Sequence, residues 1–268
     1  MENIENRLGV STACFYPEAT EAAFDKICGL GVRVCELFVN THSETKPGYL
    51  RDIKMKADDS DIKIAAIHPY SSAFEPFLFF TEYDRRRFLD GIDFYRQYFE
   101  AAQFLSSDYI IFHGAGPSQV RLSVREYSDR FLAVAGEAKK YGCELLHENI
   151  GRINDYIQDL DAGIRFALDF KHSVSWNHDN AEIIGKMGEN IAHIHLNDML
   201  PADSRDKVSA CRLPFRGGLD YGSIFGKLKD INYIGSFIIE VYRHNYGSLS
   251  EISDSIGEIR DFLKNAQS

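Results

Sequence analysis

Short apolar runs, many of them β-branched, alternate along the chain with longer stretches whose apolar positions recur at helical spacing. The strand-like runs are Leu8–Cys14, Val32–Phe38, Ile62–His68, Tyr109–His113, Glu144–Glu148, Arg165–Asp169, Ile191–Leu196 and Phe237–Val241. Helical period between them predicts helices near Glu18–Gly29, Tyr49–Asp59, Glu82–Leu105, Val124–Tyr141, Asn154–Ala162, Asn180–Met187, Tyr221–Asp230 and Leu249–Leu263. Strands separated by helix-length segments are joined by crossovers, which makes a parallel sheet. Eight such units in 268 residues favour a closed α/β barrel, (β/α)₈, over an open doubly wound sheet, with residues 1–268 as a single domain.

Local signals agree with this division. Ser123 and Glu126 have the spacing of a capping box that opens the fourth helix. Gly29 and Gly142 stand where helices should end, in the place of a left-handed terminating residue. The block Ile150–Leu160 is short for a full unit, so that side of the ring is expected to be trimmed. The run Phe74–Phe80 (FEPFLFF) falls in an expected loop after the third strand, where its rings pack on the barrel rim, cover a pocket or meet another subunit. The helix after it carries Phe88, Phe94, Tyr95, Tyr98, Phe99 and Phe104 on more than one face, an arrangement that points to a homo-oligomer.

Composition narrows the class. Hydrophobic residues make up 44% of the chain and charged residues 26%, as in a globular protein with a sizeable core. The net charge of -10 suits a small polar or metal-assisted substrate and disfavours nucleic acid, whose phosphates call for a basic footprint. Five scattered cysteines with no Cys-x-x-Cys spacing read as free thiols in a reducing compartment. The opening MENIENRLGV has neither the basic start nor the apolar run of a signal peptide, and no apolar stretch reaches membrane-spanning length, so a cytoplasmic protein off the membrane is expected.

The chemistry lies at the strand ends. His68 ends the third strand, His113 the fourth and Glu148 the fifth; Asp169 ends the sixth with His172 just beyond; His195 and Glu240 close the seventh and eighth. A barrel brings these ends around one mouth. Several carboxylates gathered in a concave, partly dry site repel one another unless a cation compensates. Glu148, Asp169, His195 and Glu240 offer three carboxylates and an imidazole, a mixed oxygen and nitrogen set suited to one divalent ion such as Mn²⁺, Zn²⁺ or Co²⁺. His68 and His113, with Glu148, can hold a second ion or bind substrate hydroxyls; the residues alone leave both readings open. His193 shares the face of His195 and reads as a supporting or core histidine.

On the segments AIHPYS, IFHGAG, LLHENIG, ALDFKHS, HIHLND and IIEVYR, the chain resembles the xylose-isomerase-like TIM-barrel superfamily. That group contains sugar isomerases and epimerases, inosose and dehydroshikimate dehydratases, and the family-2 apurinic endonucleases. By resemblance to its ketose 3-epimerases, Glu148, Asp169, His195 and Glu240 hold one ion, Glu148 and Glu240 are the catalytic proton carriers, and His172 contacts a substrate oxygen. By resemblance to the endonucleases, His68, His113 and Glu148 take one ion, the four-residue set a second, and His172 helps hold a third. The endonucleases complete that third site with an Asp-x-His, where this chain has Ala210 and Arg212, neither able to ligate a cation. RLPFRGGLD fits the sugar enzymes' loop loosely, and Arg205, Arg212 and Arg216 offer charge for a carboxylate, hydroxyl or phosphate of the substrate.

The resemblance therefore implies a divalent-metal-dependent isomerase or epimerase of a ketose or related polyhydroxy carbonyl compound, acting through an enediolate. A metal-dependent dehydratase of an inosose-like substrate is the alternative, with His68 or His113 as the acid that a leaving hydroxyl needs. An abasic-site endonuclease and a non-catalytic metal- or sugar-binding protein are further alternatives.

Overall fold

The computed structural model describes residues 6–81, 85–200 and 210–265. Eight parallel strands close into a ring, in the order β1 (Leu8–Ser11), β2 (Val34–Phe38), β3 (Lys63–His68), β4 (Tyr109–Phe112), β5 (Glu144–Glu148), β6 (Phe166–Asp169), β7 (Ile191–Leu196) and β10 (Ser236–Ile239), with β10 pairing back onto β1. Two short strands, β8 (Asp198–Met199) and β9 (Cys211–Arg212), form an antiparallel pair outside the ring. This is the expected (β/α)₈ barrel in a single domain.

Nearly every strand residue is buried, because one face meets the barrel interior and the other meets the helices. Leu8, Val10, Ile110, Phe112, Ile194 and Leu196 belong to the large outer core shared with the helices. Ala66, Ile111, Leu146 and Ala167 form a separate small cluster. Each stands two residues before His68, His113, Glu148 or Asp169, hence on the same face of its strand. These short and branched side chains floor the mouth in which the site sits.

Two register shifts set which side chains point inward. Between β2 and β3, Cys35 lies opposite Ile64 while Glu36 lies opposite Ala66, which leaves Ala65 as an extra residue. Between β6 and β7, Phe166 lies opposite Ile191 while Ala167 lies opposite His193, leaving Ala192 extra. A bulge of this kind re-aims the residues beyond it. Here it brings His193 and His195 level with Ala167 and Asp169.

The helices follow the expected periods, with differences that have local causes. The Ser123–Glu126 capping box opens Val124–Lys139 as anticipated. Gly142 is left-handed (φ 79°), but Gly29 is right-handed (φ −80°) and Gly31 (φ 67°) makes the reversal instead. No α-helix forms over Asn154–Ala162; the chain makes two 3₁₀ turns, Gly151–Asp155 and Ile157–Asp159. The buried Asn154 amide donates to the Asn149 carbonyl at 3.0 Å, a local side-chain bond that competes with helix. FEPFLFF is not a loop: Glu75–Phe79 is a short helix with Pro76 in its first turn. Phe79 and Phe80 are buried against Phe112, and Phe80 stacks on Tyr127 at 4.2 Å, whereas Phe74 and Phe77 face solvent. All five cysteines are free thiols, four of them buried. No helix among the described residues is long and apolar enough to cross a membrane.

Candidate metal centre

Strand geometry delivers the site. His68 and Glu148 are the last residues of β3 and β5; His113 and Glu240 follow directly on β4 and β10. Asp169 ends β6 and also caps the short helix Phe170–Ser175, its Oδ1 accepting from the Lys171 amide at 2.9 Å. That helix, absent from the sequence reading, carries His172 into the mouth. Ligand atoms of Glu148, Asp169, His195 and Glu240 all lie within 4.8 Å of one another, as do those of His68, His113 and Glu148. The structure thus brings together every predicted ligand, in two groups joined by Glu148 and suited to one or two divalent ions.

His195 Nδ1 lies 3.0 Å from Glu148 Oε1 and 3.4 Å from both Asp169 Oδ2 and Glu240 Oε2. One ring nitrogen offers a single proton or lone pair, so it cannot bond three carboxylates at once. Four donors turned on one point are an arrangement that could hold a divalent cation. In the second group, His113 Nε2 is 3.1 Å from His68 Nε2 and 2.8 Å from Glu148 Oε2. Glu148 Oε2 is buried, with the His113 imidazole as its short-range polar partner. A buried carboxylate oxygen gathered with two imidazoles offers the mixed oxygen and nitrogen donors that suit a divalent ion.

Glu148 and Asp169 are held in their charged forms. Burial alone would push Glu148 up, but His113, His195 and His172 hold it well below the usual carboxylate range. Burial opposes Asp169 likewise and is outweighed by Lys171 and His172. Desolvation would lower His195, yet Glu240, Glu36 and its bonds to Asp169 and Glu148 raise it well above an ordinary imidazole. His68, by contrast, is lowered by burial and by the neighbouring His113.

Several supporting residues escaped the sequence reading. Glu36, fully buried on β2, accepts at Oε2 from His195 Nε2 at 2.8 Å and His193 Nε2 at 3.0 Å, and at Oε1 from Ser11 at 3.0 Å. Its signal was present, because it is the lone charge inside the apolar run VCELF. Asn197 donates to Asp169 Oδ1 at 2.9 Å, and Asn149 exchanges bonds with the Asp169 backbone, accepting from its amide at 2.6 Å and donating to its carbonyl at 3.0 Å. Lys171 pairs with Asp169 Oδ2 and, at 2.7 Å, with Glu240 Oε2.

A cavity of about 230 Å³ opens over the cluster, bounded by Tyr16, Phe38, His68, His113, Glu148, Lys171, His172, Glu240 and Tyr242. Arg212 and Arg216 are not among its walls. Arg212 Nη1 donates to the Cys211 carbonyl at 2.7 Å, and Arg216 forks onto both oxygens of Glu258 at 2.6 and 2.7 Å on the protein surface. Arg205 lies outside the described residues. A larger cavity, about 320 Å³, lies away from the cluster beside Phe88 and Arg130 and contains none of the ligands.

Comparison with known proteins agrees with this architecture. The chain overlays a D-tagatose 3-epimerase-like protein with a TM-score of 0.76 at 20% identity, covering 97% of this chain and 99% of that one. D-psicose 3-epimerase from Clostridium cellulolyticum H10 overlays at 0.72 with 16% identity, covering 97% and 98%. The probable 3-DHS dehydratase of petrobactin synthesis from Bacillus anthracis overlays at 0.68 with 15% identity, covering 96% and 98%. At these identities the likeness concerns the fold. A search of curated proteins gives no match. The family model described as xylose isomerase-like TIM barrel matches residues 24–266, most of the chain. The chain belongs to the xylose isomerase-like TIM-barrel family.

Proposed function

We propose that this protein is a divalent-metal-dependent isomerase or epimerase of a ketose or related polyhydroxy carbonyl compound. The observation that carries the proposal is the convergence of Glu148 and Glu240 with Asp169 and His195 beneath one cavity. Glu148 and Glu240 line that cavity, with Asp169 and His195 gathered next to them, which supports reading the two glutamates as proton carriers beside an ion. The two neighbouring 3-epimerase folds agree with this reading but do not carry it.

Glu148, Asp169, His195 and Glu240 would hold the ion, which when bound supplies positive charge against a substrate oxygen as that oxygen turns negative. The remaining steps fall to the chain. One of Glu148 and Glu240 removes the proton α to the carbonyl and leaves an enediolate; the other returns a proton. Return to the opposite face of the same carbon gives the epimer, and return to the neighbouring carbon gives the aldose–ketose isomer. His172, His68 and His113 border the cavity and would orient substrate hydroxyls. Phe38, Tyr16 and Tyr242 would limit water around the reacting carbons.

The test is solvent exchange. Chelator-stripped and Mn²⁺-reloaded protein would be incubated in heavy water with free ketoses, ketose phosphates and inososes, and products read by mass. Deuterium on one carbon of one sugar, only with Mn²⁺ present, is the expected result. Loss of water from an inosose would move the assignment to a dehydratase. No exchange with any carbonyl compound would end this reading.

A further inference from the structure

We propose that Lys171 is a resident cation that a divalent ion must displace, so that this one side chain sets how tightly the site binds metal. The proposal rests on the reading of Glu148, Asp169, His195 and Glu240 as ion ligands. Lys171 lies two residues after Asp169, in the first turn of Phe170–Ser175, and its side chain is only 8% exposed. A buried ammonium is rare unless paired, and this one is doubly paired, with Asp169 Oδ2 and Glu240 Oε2.

Those are the same two oxygens that stand 3.4 Å from His195 Nδ1 and complete the four-donor set. The ammonium and an ion would therefore crowd onto the same two oxygens. An ion needs its oxygens at roughly 2.1 Å, against about 2.8 Å for a charged hydrogen bond. Two cations sharing both oxygens would also stand within a few ångströms of each other in a site shielded from water, where repulsion is strong. Entry of the ion thus requires Nζ to leave.

Lys171 has somewhere to go. Its Nζ already lies 5.8 Å from the centre of the Tyr242 ring, and both residues border the 230 Å³ cavity. A short swing would exchange two carboxylates for an aromatic face, a favourable partner for an ammonium. The lysine also accounts for how Asp169 and Glu240 stay close to each other before an ion arrives: it is their counterion. Glu148 is balanced separately, by His113, His172 and His195.

The test compares stripped wild-type protein with Lys171→Met and Lys171→Gln, by calorimetric titration with Mn²⁺ and by melting with and without the ion. Both variants should bind Mn²⁺ at least tenfold more tightly than wild type, melt lower without it and gain more on its addition. Equal or weaker binding by the variants overturns the proposal and leaves the metal-site reading standing. Absence of binding in all three proteins overturns both. Should neither variant fold, acetylation of Lys171 in wild-type protein, followed by mass spectrometry, gives the answer. Labelling should be several-fold faster with saturating Mn²⁺ than after stripping, and equal rates overturn the proposal.

Discussion

Glu36 Oε2 stands 2.8 Å from His195 Nε2, across the imidazole from the nitrogen that faces Glu148, Asp169 and Glu240. A carboxylate on the far nitrogen orients the ring, keeps a proton on Nε2 and makes Nδ1 the donor toward the site, as supporting carboxylates do for metal-bound histidines. The same oxygen also receives His193 Nε2, so one buried acid fixes two imidazoles.

Glu36→Gln should therefore weaken Mn²⁺ binding by roughly 10–100-fold, the usual cost of losing such an outer partner. Calorimetric titration of stripped protein measures it, with circular dichroism to verify the fold. Unchanged affinity would show that His195 is oriented by its strand alone.

Substitution of the proton carriers should separate chemistry from binding. Glu240→Gln keeps a ligand oxygen and is expected to lower kcat by about 10²–10⁴-fold with KM within a few-fold. Glu148→Gln removes a carboxylate shared by both ligand groups and should lose metal as well as turnover. Steady-state kinetics with elemental analysis distinguishes the two, and wild-type turnover in either variant contradicts the assignment.

Gly114, next to His113, has φ 57°, and a Cβ there would sit 2.5 Å from Tyr127 Oη and 2.7 Å from His147 Nε2. Those two atoms are already bonded to each other at 2.6 Å and have no room to part. Left-handed strain and overpacking together should make Gly114→Ala less stable by about 2–4 kcal/mol in urea unfolding. A loss under about 0.5 kcal/mol, the size of an ordinary surface change, would mean that the turn relaxes freely.

Glu75 makes stability depend on pH. Burial pushes its carboxyl from the ordinary 4.5 up to about 8, against the opposing pull of His113, Tyr95 and the backbone amides of Gly114 and His113. Because the folded value exceeds the unfolded one, its contribution is complete below about pH 4.5 and declines as pH rises to about 8, by up to roughly 1.4 kcal/mol per unit. Glu75→Gln stays neutral and should escape that decline. Urea midpoints of both proteins at several pH values give the comparison; a difference that does not grow with pH between about 5 and 8 rules the effect out.

The barrel and its candidate ligands were legible in the sequence, for a definite reason. Strand ends are marked by the return of polar residues after apolar runs, and a barrel collects all such ends on one rim. His68, His113, Glu148, Asp169, His195 and Glu240 needed no knowledge of pairing to be found. Glu36 did. It sits mid-strand, and its approach to His195, 159 positions away, is set by the ring of strand pairings, which has no signature in the residues themselves. The helix over Phe170–Ser175 was missed because six residues are too few for a period to show. Over Asn154–Ala162 the helical pattern gives 3₁₀ turns instead, where the buried Asn154 amide bonds back to the Asn149 carbonyl.

By itself, the order of residues determined the eight strands, most of the helices between them, and which acids and imidazoles stand at the strand ends, because hydrophobic period and strand termination are local properties. Only the closed structure decided that Glu36 supports His195, that Arg216 is engaged by Glu258, and that Lys171 reaches the oxygens of Asp169 and Glu240. Apart from the local Lys171–Asp169 pair, those contacts join strands and helices far apart in the chain, and their distances follow from register and side-chain direction, which exist only once the ring has closed.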